Sequence, residues 1–316
     1  MKIGLVGSIH ELGWEVLRSQ EHSIIEVTDV STSNLKKELA DVSGIVLRTA
    51  QMPNEVIDAC PNLQIIARHG VGYDNVDLSY LNKKRIALGV TGTANAVSVA
   101  EHVMTFFLQL TKNIYLSDEL TRKGKFQEKG NLPSFFELYQ KNVLILGFGR
   151  IGQAVAKRCL GFEMNVYVYD PYINDEKIKS LGGKKVNDLK EAVKEMDAIS
   201  LHMPLNDETK NIVNYDLLRS MKTNCIVVNA ARGGIINEVD LDKALRENLI
   251  FGAGLDVFET EPPKSDNPLL KNDKVFLSPH TAAFTEECMI RMGKETIQNI
   301  IDFFEKKLDK SKIIKL

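Results

Sequence analysis

The chain has 316 residues and 44% hydrophobic content, enough to fill the cores of two domains of ordinary size, with one compact unit as the alternative. Its formal net charge is −2 and its basic residues are scattered, which argues against nucleic acid as a partner. No apolar run approaches the roughly 20 residues of a membrane span, so no membrane partner is predicted. The four cysteines form no CxxC pair, which predicts no metal site, no disulfides and a cytoplasmic location.

Short apolar runs alternate with amphipathic segments along the chain, a pattern typical of βαβ units and parallel sheets. The predicted strands fall into two groups, one before about Val90 and one beginning at Asn142. Between them, the apolar stretch 95–126 predicts a long linking helix at a domain or subunit contact. The segment 286–316 predicts an amphipathic helix that packs back on the first group, which would make that domain discontinuous.

The second group opens with "NVLILGFGRIGQAVAKRC", the sharpest local signal in the sequence. In a dinucleotide-binding turn the first glycine permits the tight turn, the second lets a pyrophosphate approach, and the third lets helix and strand pack closely. The helix N-terminus then presents free N–H groups to the phosphates. A glycine-rich turn without a ligand is the alternative interpretation. The predicted cofactor residues in this turn are Gly147, Gly149, Arg150, Ile151 and Gly152.

Asp170 ends the next predicted strand, about 20 residues beyond the glycines, where dinucleotide-binding domains carry an acidic residue. A carboxylate at this position accepts hydrogen bonds from the ribose hydroxyls and repels a 2′-phosphate. The residues that follow, "PYI", include no arginine that would hold such a phosphate. The sequence therefore predicts NAD as the cofactor, in preference to NADP.

Three later segments end predicted strands with polar residues: "NAARGGIIN", "LDVFETEPP" and "SPHTAAF". Because ligands bind outside the carboxyl ends of such strands, Arg232, Glu261 and His280 are candidates for one active site. An imidazole suits proton transfer near neutrality, and a carboxylate on its other nitrogen stabilises the imidazolium. An arginine can bind a substrate carboxylate through two parallel hydrogen bonds. Taken singly, each segment would equally suit a solvated surface turn.

Together these motifs resemble the D-isomer-specific 2-hydroxyacid dehydrogenase family, especially its short phosphoglycerate dehydrogenase-like members. The resemblance runs nearly the full length, through "RHGVGYDNVD", "TANAVSVAEH", "LGFGRIG", "HMPLNDETKNIVN", "VNAARGGIINE", "GLDVFETEPP" and "SPHTAAFT". It implies an α/β fold with two doubly wound parallel-sheet domains, Rossmann-like or flavodoxin-like, and a cleft between them. The implied NAD-binding domain is 94–286, inserted into a substrate domain made of 1–93 and 287–316. The resemblance also implies a homodimer, commonly built on the linking helix.

The resemblance also implies roles for individual residues, with Arg232, Glu261 and His280 as the catalytic set. Substrate contacts are implied at Arg48, Val71, Gly72, Arg232 and His280. Further cofactor contacts are implied at Asn95, His202, Pro204, Thr209, Ala230, Asp256 and Ala282. For His202 a structural role is an equal alternative, and His102 is interpreted as a packing or hydrogen-bonding residue.

The predicted function is hydride transfer between NAD(H) and a short D-2-hydroxy acid or 2-oxo acid. The first candidate is 3-phosphoglycerate, which belongs to serine biosynthesis, with Arg48 and Arg68 as cationic groups for its phosphate. The alternatives are reduction of glyoxylate or hydroxypyruvate and turnover of a sulfonated or other 2-hydroxy acid. An NADH-sensing binding protein of the corepressor type is the alternative from another class. His69 stands where many phosphoglycerate dehydrogenases carry a small residue, and it could reshape the substrate loop.

Overall fold

The computed structural model describes residues 1–18 and 22–315, which form two compact α/β units. The first unit comprises Met1–Asn95 and Ala283–Leu316, and the second comprises Ala96–Ala282. Each unit is built on a largely parallel sheet with helices, so the predicted fold class of two parallel-sheet α/β domains is confirmed. The units divide after residues 95 and 282, whereas the sequence interpretation divides the chain after 93 and 286.

The first unit contains a six-stranded sheet with the order β13-β5-β4-β3-β1-β2, in which only β13 is antiparallel. Its strands are β1 (Lys2–Val6), β2 (Ser23–Val27), β3 (Gly44–Leu47), β4 (Ile65–Arg68), β5 (Ala87–Val90) and β13 (Ile313–Ile314). Its helices are α1 (Glu11–Arg18), α2 (Thr32–Glu38), α3 (Asn54–Asp58), α4 (Leu78–Lys84) and α12 (Glu286–Phe304).

Helix α12 covers one face of this first sheet. The Thr285 hydroxyl caps the helix by accepting from the N–H of Cys288, and acidic residues in the first turn favour the same end. Ile297, Ile300 and Ile301 lie on one face of the helix and pack into a buried cluster with residues of β1, β3 and β4. Full burial of each such side chain contributes about 1.5–3 kcal/mol, so this face anchors the C-terminal segment to the unit.

The second unit contains a seven-stranded, fully parallel sheet with the order β12-β11-β10-β9-β6-β7-β8. Its strands are β6 (Asn142–Leu146), β7 (Asn165–Tyr169), β8 (Lys184–Lys185), β9 (Ala198–Leu201), β10 (Ile226–Asn229), β11 (Gly252–Leu255) and β12 (Val275–Leu277). Its helices are α5 (Ala96–Lys112), α6 (Ile114–Arg122), α7 (Arg150–Gly161), α8 (Asp175–Ser180), α9 (Leu189–Ala192), α10 (Tyr215–Arg219) and α11 (Glu238–Arg246). The strand order reverses at β6, which creates a switch point between β6 and β9 where ligands bind in such folds.

The stretch 95–126 forms two helices, α5 and α6, so the prediction of one long helix is wrong at this point. The break falls at Asn113, whose backbone takes a left-handed conformation with φ of 42°. Its side chain then accepts a hydrogen bond from the N–H of Leu116 and starts the second helix. Asn tolerates this conformation better than most residues, and a helical periodicity that continues through it hides the break.

Candidate active site

The strands of the second sheet end in register, so their following residues share one edge. The backbone pairing aligns one row across the sheet, namely Tyr169, Leu146, Leu201, Asn229, Leu255 and Leu277. The residues directly after this row are Asp170, Gly147, His202, Ala230, Asp256 and Ser278. Most of the residues predicted to bind the cofactor or to catalyse the reaction therefore follow the carboxyl ends of these strands.

The three glycines after β6 occupy sites with different demands. Gly147 has φ of 90°, and a Cβ there would lie 2.8 Å from the backbone of His202. A Cβ at Gly152 would lie 2.2 Å from the carbonyl oxygen of Gly147, so a side chain there would collide with the turn. A Cβ at Gly149 would meet nothing within 4 Å, which leaves open space at the N-terminus of α7. This open cradle fits a pyrophosphate group.

Asp170 bonds to the glycine turn directly. Its Oδ2 accepts a hydrogen bond from the N–H of Phe148 at 2.7 Å, and its Oδ1 accepts from the N–H of Tyr172 at 2.9 Å. Each carboxylate oxygen has two lone-pair directions, so both can still accept from a ribose hydroxyl. The side chain is only partly buried, and the position fits a dinucleotide whose adenosine lies beside β7. In the same turn Arg150 is exposed and Ile151 is partly buried.

Glu261 and His280 form a hydrogen-bonded pair, with 2.7 Å between Glu261 Oε2 and His280 Nδ1. The other carboxylate oxygen of Glu261 accepts from the N–H of Phe258 at 3.1 Å, which fixes its orientation. The hydrogen bond with Glu261 raises the pKa of His280, whereas partial burial acts in the opposite direction. Partial burial acts to raise the pKa of Glu261, but the hydrogen bond and charge of His280, the Phe258 N–H and the charge of Arg232 together lower it by more, so the net pKa is lowered. Both partners therefore favour an imidazolium–carboxylate pair.

Arg232 follows β10 in a segment that Asn229 holds in place. The Asn229 side chain donates to the Arg232 carbonyl oxygen at 2.8 Å and accepts from the N–H of Ala231 at 3.0 Å. The next residue, Gly233, packs so closely that a Cβ would lie 1.8 Å from the carbonyl oxygen of Phe258. This contact brings the Arg232 segment against the segment that leads to Glu261. The positive charge of Arg232 contributes to the lowered pKa of Glu261, and for His280 it acts against the larger, raising effect of the Glu261 hydrogen bond.

The loop that carries His280 is held by the Asp256 carboxylate, which is only 1% exposed. The carboxylate accepts from the N–H groups of Thr281 at 2.8 Å and Ala282 at 2.9 Å, and its backbone carbonyl accepts from the His280 N–H at 2.8 Å. The sequence interpretation gave Asp256 only a cofactor contact and missed this role in shaping the loop. The available signal was an aspartate directly after the apolar strand "GAGL".

The other predicted cofactor residues of this unit line the same edge. His202 bonds through Nε2 to the Ser200 hydroxyl at 2.7 Å, and burial lowers its pKa to about 3, so the ring is neutral. The Thr209 hydroxyl donates to the Pro204 carbonyl at 2.6 Å and thereby shapes the turn after β9. Ala230, directly after β10, and Ala282, in the loop that follows β12, are buried small residues.

The predicted residues of the first unit lie at and beyond the ends of its strands. Arg48 follows β3, and its guanidinium donates to the Ser8 hydroxyl at 3.1 Å. No hydrogen bond to another protein atom from the N–H groups of Val71 or Gly72 occurs within 1–18 and 22–315. Asn95 is buried, and its Oδ1 has no hydrogen-bond partner in the described chain.

Arg68 and His69 are buried residues that come directly before the loop containing Val71 and Gly72. Arg68 is buried and donates to the carbonyl oxygens of Leu47 at 2.7 Å and Gly72 at 2.8 Å, so it supports the loop backbone. His69 is also buried; desolvation, then the nearby charge of Arg48, lower its pKa to about 4. A neutral imidazole therefore sits behind this loop near neutral pH.

Within the described residues no group of three or more His, Cys, Asp or Glu side chains is arranged to hold a metal ion. In the same part of the chain, no helix has both the length and the apolar character needed to cross a membrane.

Residues 104–282 match the family described as "D-isomer specific 2-hydroxyacid dehydrogenase, NAD binding domain". The D-3-phosphoglycerate dehydrogenase of Archaeoglobus fulgidus is 36% identical over 96% of this chain, and the chain spans 57% of that relative. The hydroxypyruvate reductase of Thermotoga maritima is 36% identical over 90% of this chain and 92% of its own length. The structure of the NAD-dependent formate dehydrogenase from Staphylococcus aureus in complex with NAD has a TM-score of 0.84 and 31% identity, over 100% of this chain and 99% of that chain.

The chain belongs to the D-isomer specific 2-hydroxyacid dehydrogenase family, as the resemblance predicted. It contains the NAD-binding domain of that family within its second unit, and the prediction of NAD as the cofactor is confirmed at the level of this domain. The chain spans little more than half of the first phosphoglycerate dehydrogenases that it matches, 57% in each of two cases.

Proposed function

We propose that the protein is an NAD-dependent oxidoreductase that transfers a hydride between NAD(H) and a short D-2-hydroxy acid or 2-oxo acid. The observation that carries this proposal is the His280–Glu261 hydrogen bond of 2.7 Å, in the same unit as the glycine turn and Asp170. An imidazole paired with a carboxylate is suited to move the proton that accompanies hydride transfer at a carbonyl or alcohol carbon. Arg232, on the neighbouring segment, supplies the cationic group that a carboxylate substrate needs.

The bound nicotinamide supplies or accepts the hydride, and the protein residues handle the proton and the substrate charge. Because Nδ1 of His280 is occupied by Glu261, Nε2 is the ring nitrogen that serves the substrate. In the oxidation direction, Nε2 takes the hydroxyl proton while the carbon-bound hydrogen leaves as hydride; in the reduction direction, Nε2 returns the proton to the new alkoxide oxygen. Glu261 stabilises the imidazolium in both directions.

The remaining residue roles are part of this proposal. In the second unit, the open cradle at Gly149 holds the pyrophosphate with the first turn of α7, and Asp170 binds the ribose. In the first unit, Arg48 and the N–H groups of Val71 and Gly72 bind anionic oxygens of the substrate, since these donors are suited to carboxylate or phosphate. We assign 1–93 and 287–316 to a substrate domain and 94–286 to the NAD-binding domain.

The leading substrate is 3-phosphoglycerate, which would place the protein in serine biosynthesis in the cytoplasm. Support comes from the two phosphoglycerate dehydrogenases at 36% and 38% identity and from Arg48, whose guanidinium suits a phosphate; Arg68 instead bonds to backbone carbonyls. Reduction of hydroxypyruvate or glyoxylate is the second candidate, because relatives with those names are spanned over 92% and 81% of their lengths. All four described cysteines are buried and free, which supports the cytoplasmic assignment.

A panel of acids measured in both directions tests the proposal. Purified protein would be assayed with NAD and 3-phosphoglycerate, and with NADH and each of phosphohydroxypyruvate, hydroxypyruvate and glyoxylate. We expect turnover of at least one acid, and the highest kcat/KM identifies the substrate. If the protein binds NADH but turns over none of these acids, and His280→Ala changes only the binding of a protein partner, the corepressor-type alternative replaces the enzyme.

We also propose a homodimer built on the region of α6 and the segment that follows it. This region exposes five large apolar or aromatic side chains, namely Ile114, Tyr115, Phe126, Phe135 and Tyr139. Such a concentration is typical of a protein–protein interface. Sedimentation velocity should give twice the chain mass for the wild type and a lower mass for the double variant Ile114→Asp and Tyr115→Asp. Val239→Asp, at another exposed apolar side chain, is the matched control and should not change the mass.

A further inference from the structure

A chain of hydrogen-bonded side chains connects helix α5 to the loop that carries His280. His102, on α5, lies with its Nε2 at 2.8 Å from the Ser278 hydroxyl oxygen. That hydroxyl lies 2.6 Å from Oδ1 of Asp256, the buried carboxylate that holds the loop. The register of the sheet explains why Asp256 and Ser278 lie side by side. Leu255 and Leu277 are paired across β11 and β12, and Asp256 and Ser278 are the next residues along the chain.

The number of available hydrogens fixes which group donates in each of these two hydrogen bonds. An ionised carboxylate only accepts hydrogen bonds, so the single hydroxyl hydrogen of Ser278 is donated to Asp256. The Ser278 oxygen must therefore accept from His102, which requires that Nε2 of His102 carries a hydrogen. His102 thus acts as a donor, and a side chain without an N–H at this position cannot replace it.

The ring of His102 is also held by an aromatic contact. It packs edge-on against Phe106, with 4.7 Å between the ring centroids and an interplanar angle of 85°. Phe106 is buried against β11, where a Cβ on Gly254 would lie 2.6 Å from its ring. The orientation of the imidazole is therefore fixed by packing as well as by its hydrogen bond.

The loop needs such support because of its backbone conformation. His280 has φ of 54°, in the left-handed region that non-glycine residues rarely adopt. A residue keeps such an unfavourable backbone conformation only when contacts with the surrounding structure hold it there. Here the contacts come from the Asp256 carboxylate. Its Oδ1 accepts hydrogen bonds from both the Thr281 N–H and the Ser278 hydroxyl, and its Oδ2 accepts from the Ala282 N–H.

We propose that His102 and Ser278 are positioning residues that orient the Asp256 carboxylate and thereby keep the His280 ring on Glu261. Neither residue needs to touch the substrate. This inference rests on the proposed function for its effect on catalysis, but its structural part concerns only the hydrogen bond between His280 and Glu261. In this arrangement a residue of helix α5 aligns the proton-transfer group through two intervening side chains.

The proposal predicts a change at His280 that loss of packing alone does not produce. The charged groups that face His280 are Glu261 and Asp256, which raise its pKa, and Arg232, which lowers it. If the Asp256 carboxylate turns, the loop relaxes and the hydrogen bond to Glu261, the largest of these effects, weakens. The pKa of His280 should then fall toward that of an ordinary histidine.

The test is a histidine titration of the full chain by NMR, with the His280 resonance assigned from a His280→Gln sample. The variants are His102→Leu, which removes the donor, Ser278→Ala, which removes the bridging hydroxyl, and His102→Gln, which keeps an N–H but loses the ring. We expect a lower His280 pKa in His102→Leu and Ser278→Ala and a value close to the wild type in His102→Gln. With an active substrate, the first two variants should also lose about tenfold in kcat with little change in the KM for NADH.

An unchanged His280 pKa in a folded Ser278→Ala or His102→Leu protein would overturn the proposal. An equal fall in His102→Gln would also overturn it, because that result assigns the effect to ring packing. If His102→Leu fails to fold, Ser278→Ala alone decides. The titration needs neither cofactor nor substrate, so failure of the proposed enzymatic function would appear separately, as absence of turnover in the wild type.

Discussion

Nδ1 of His280 lies 2.7 Å from Oε2 of Glu261, and this single contact joins the segments that follow two neighbouring strands into one hydrogen-bonded histidine–carboxylate pair. The two residues are 19 positions apart in sequence, and each is fixed by its own backbone support. Phe258 holds the carboxylate through its N–H, and Asp256 holds the loop of the imidazole. The pair therefore depends on the folded strands β11 and β12 and not on local sequence.

Replacement of Glu261 by Gln should move the pH dependence of the reaction. The hydrogen bond with Glu261 raises the pKa of His280, so the variant should have a lower pKa at this histidine. Oxidation needs the neutral imidazole, and its rate falls as the pH drops through the pKa; Glu261→Gln should therefore retain oxidation activity to lower pH. Reduction needs the imidazolium, so in this variant the rate of reduction should begin to fall at a lower pH than in the wild type.

The measurement for this variant is the pH profile of kcat/KM in both directions. Glu259→Gln, an exposed neighbour, is the matched control and should keep the wild-type profile. Profiles of Glu261→Gln that coincide with the wild type would show that Glu261 does not set the proton affinity of His280.

Two glycine-to-alanine variants in the same turn should have opposite phenotypes. A methyl group at Gly152 would lie 2.2 Å from the Gly147 carbonyl oxygen, so Gly152→Ala should lower the free energy of unfolding by about 1–3 kcal/mol or more. A methyl group at Gly149 meets no protein atom within 4 Å, so Gly149→Ala should change stability by no more than about 1 kcal/mol. It should instead weaken NADH binding by about tenfold or more, because the methyl group fills the phosphate cradle.

Denaturant unfolding and NADH fluorescence titration of both variants test this contrast. Wild-type NADH affinity in Gly149→Ala would contradict the placement of the pyrophosphate at this turn.

Loss of the charge at Asp170 should relax the choice between the two dinucleotides. Asp170→Asn keeps an oxygen that can accept from a backbone N–H but removes the repulsion toward a 2′-phosphate. We expect the ratio of the Kd for NADPH to the Kd for NADH to fall by about tenfold. Asp175→Asn, at a partly buried position on α8, should leave the ratio unchanged. An unaltered ratio in Asp170→Asn would assign the selectivity to other residues.

The local features of the site were predictable because they depend on residues close together in sequence. One β-α-β unit contains the GFGRIG turn, the helix after it and Asp170. Each glycine of that turn has a steric reason, which makes the spacing recognisable in the sequence. The structure adds the distances behind these steric reasons. A side chain at Gly152 would collide with the Gly147 carbonyl, whereas the space around Gly149 is open. The parallel sheets were predictable for a similar reason, since strands buried on both faces read as short apolar runs.

Two kinds of feature were not predictable from the sequence pattern, namely a left-handed residue inside a helix and contacts between distant parts of the chain. The break at Asn113 depends on a left-handed residue within a continuous helical periodicity. The close contact of Gly233 with Phe258 and the bonds from Asp256 to Thr281 and Ala282 join strands that are distant in the chain. These contacts exist only because neighbouring strands end in register.

If His280 moves the proton during hydride transfer, its loss should slow the reaction and leave cofactor binding intact, and the His280→Ala variant separates these two effects. The measurement combines kcat for 2-oxo acid reduction with the Kd of NADH, for the variant and the wild type side by side. We expect kcat to fall by about 10² or more while the Kd of NADH changes by less than about twofold. An unchanged kcat, or a loss that lies entirely in NADH binding, would contradict it.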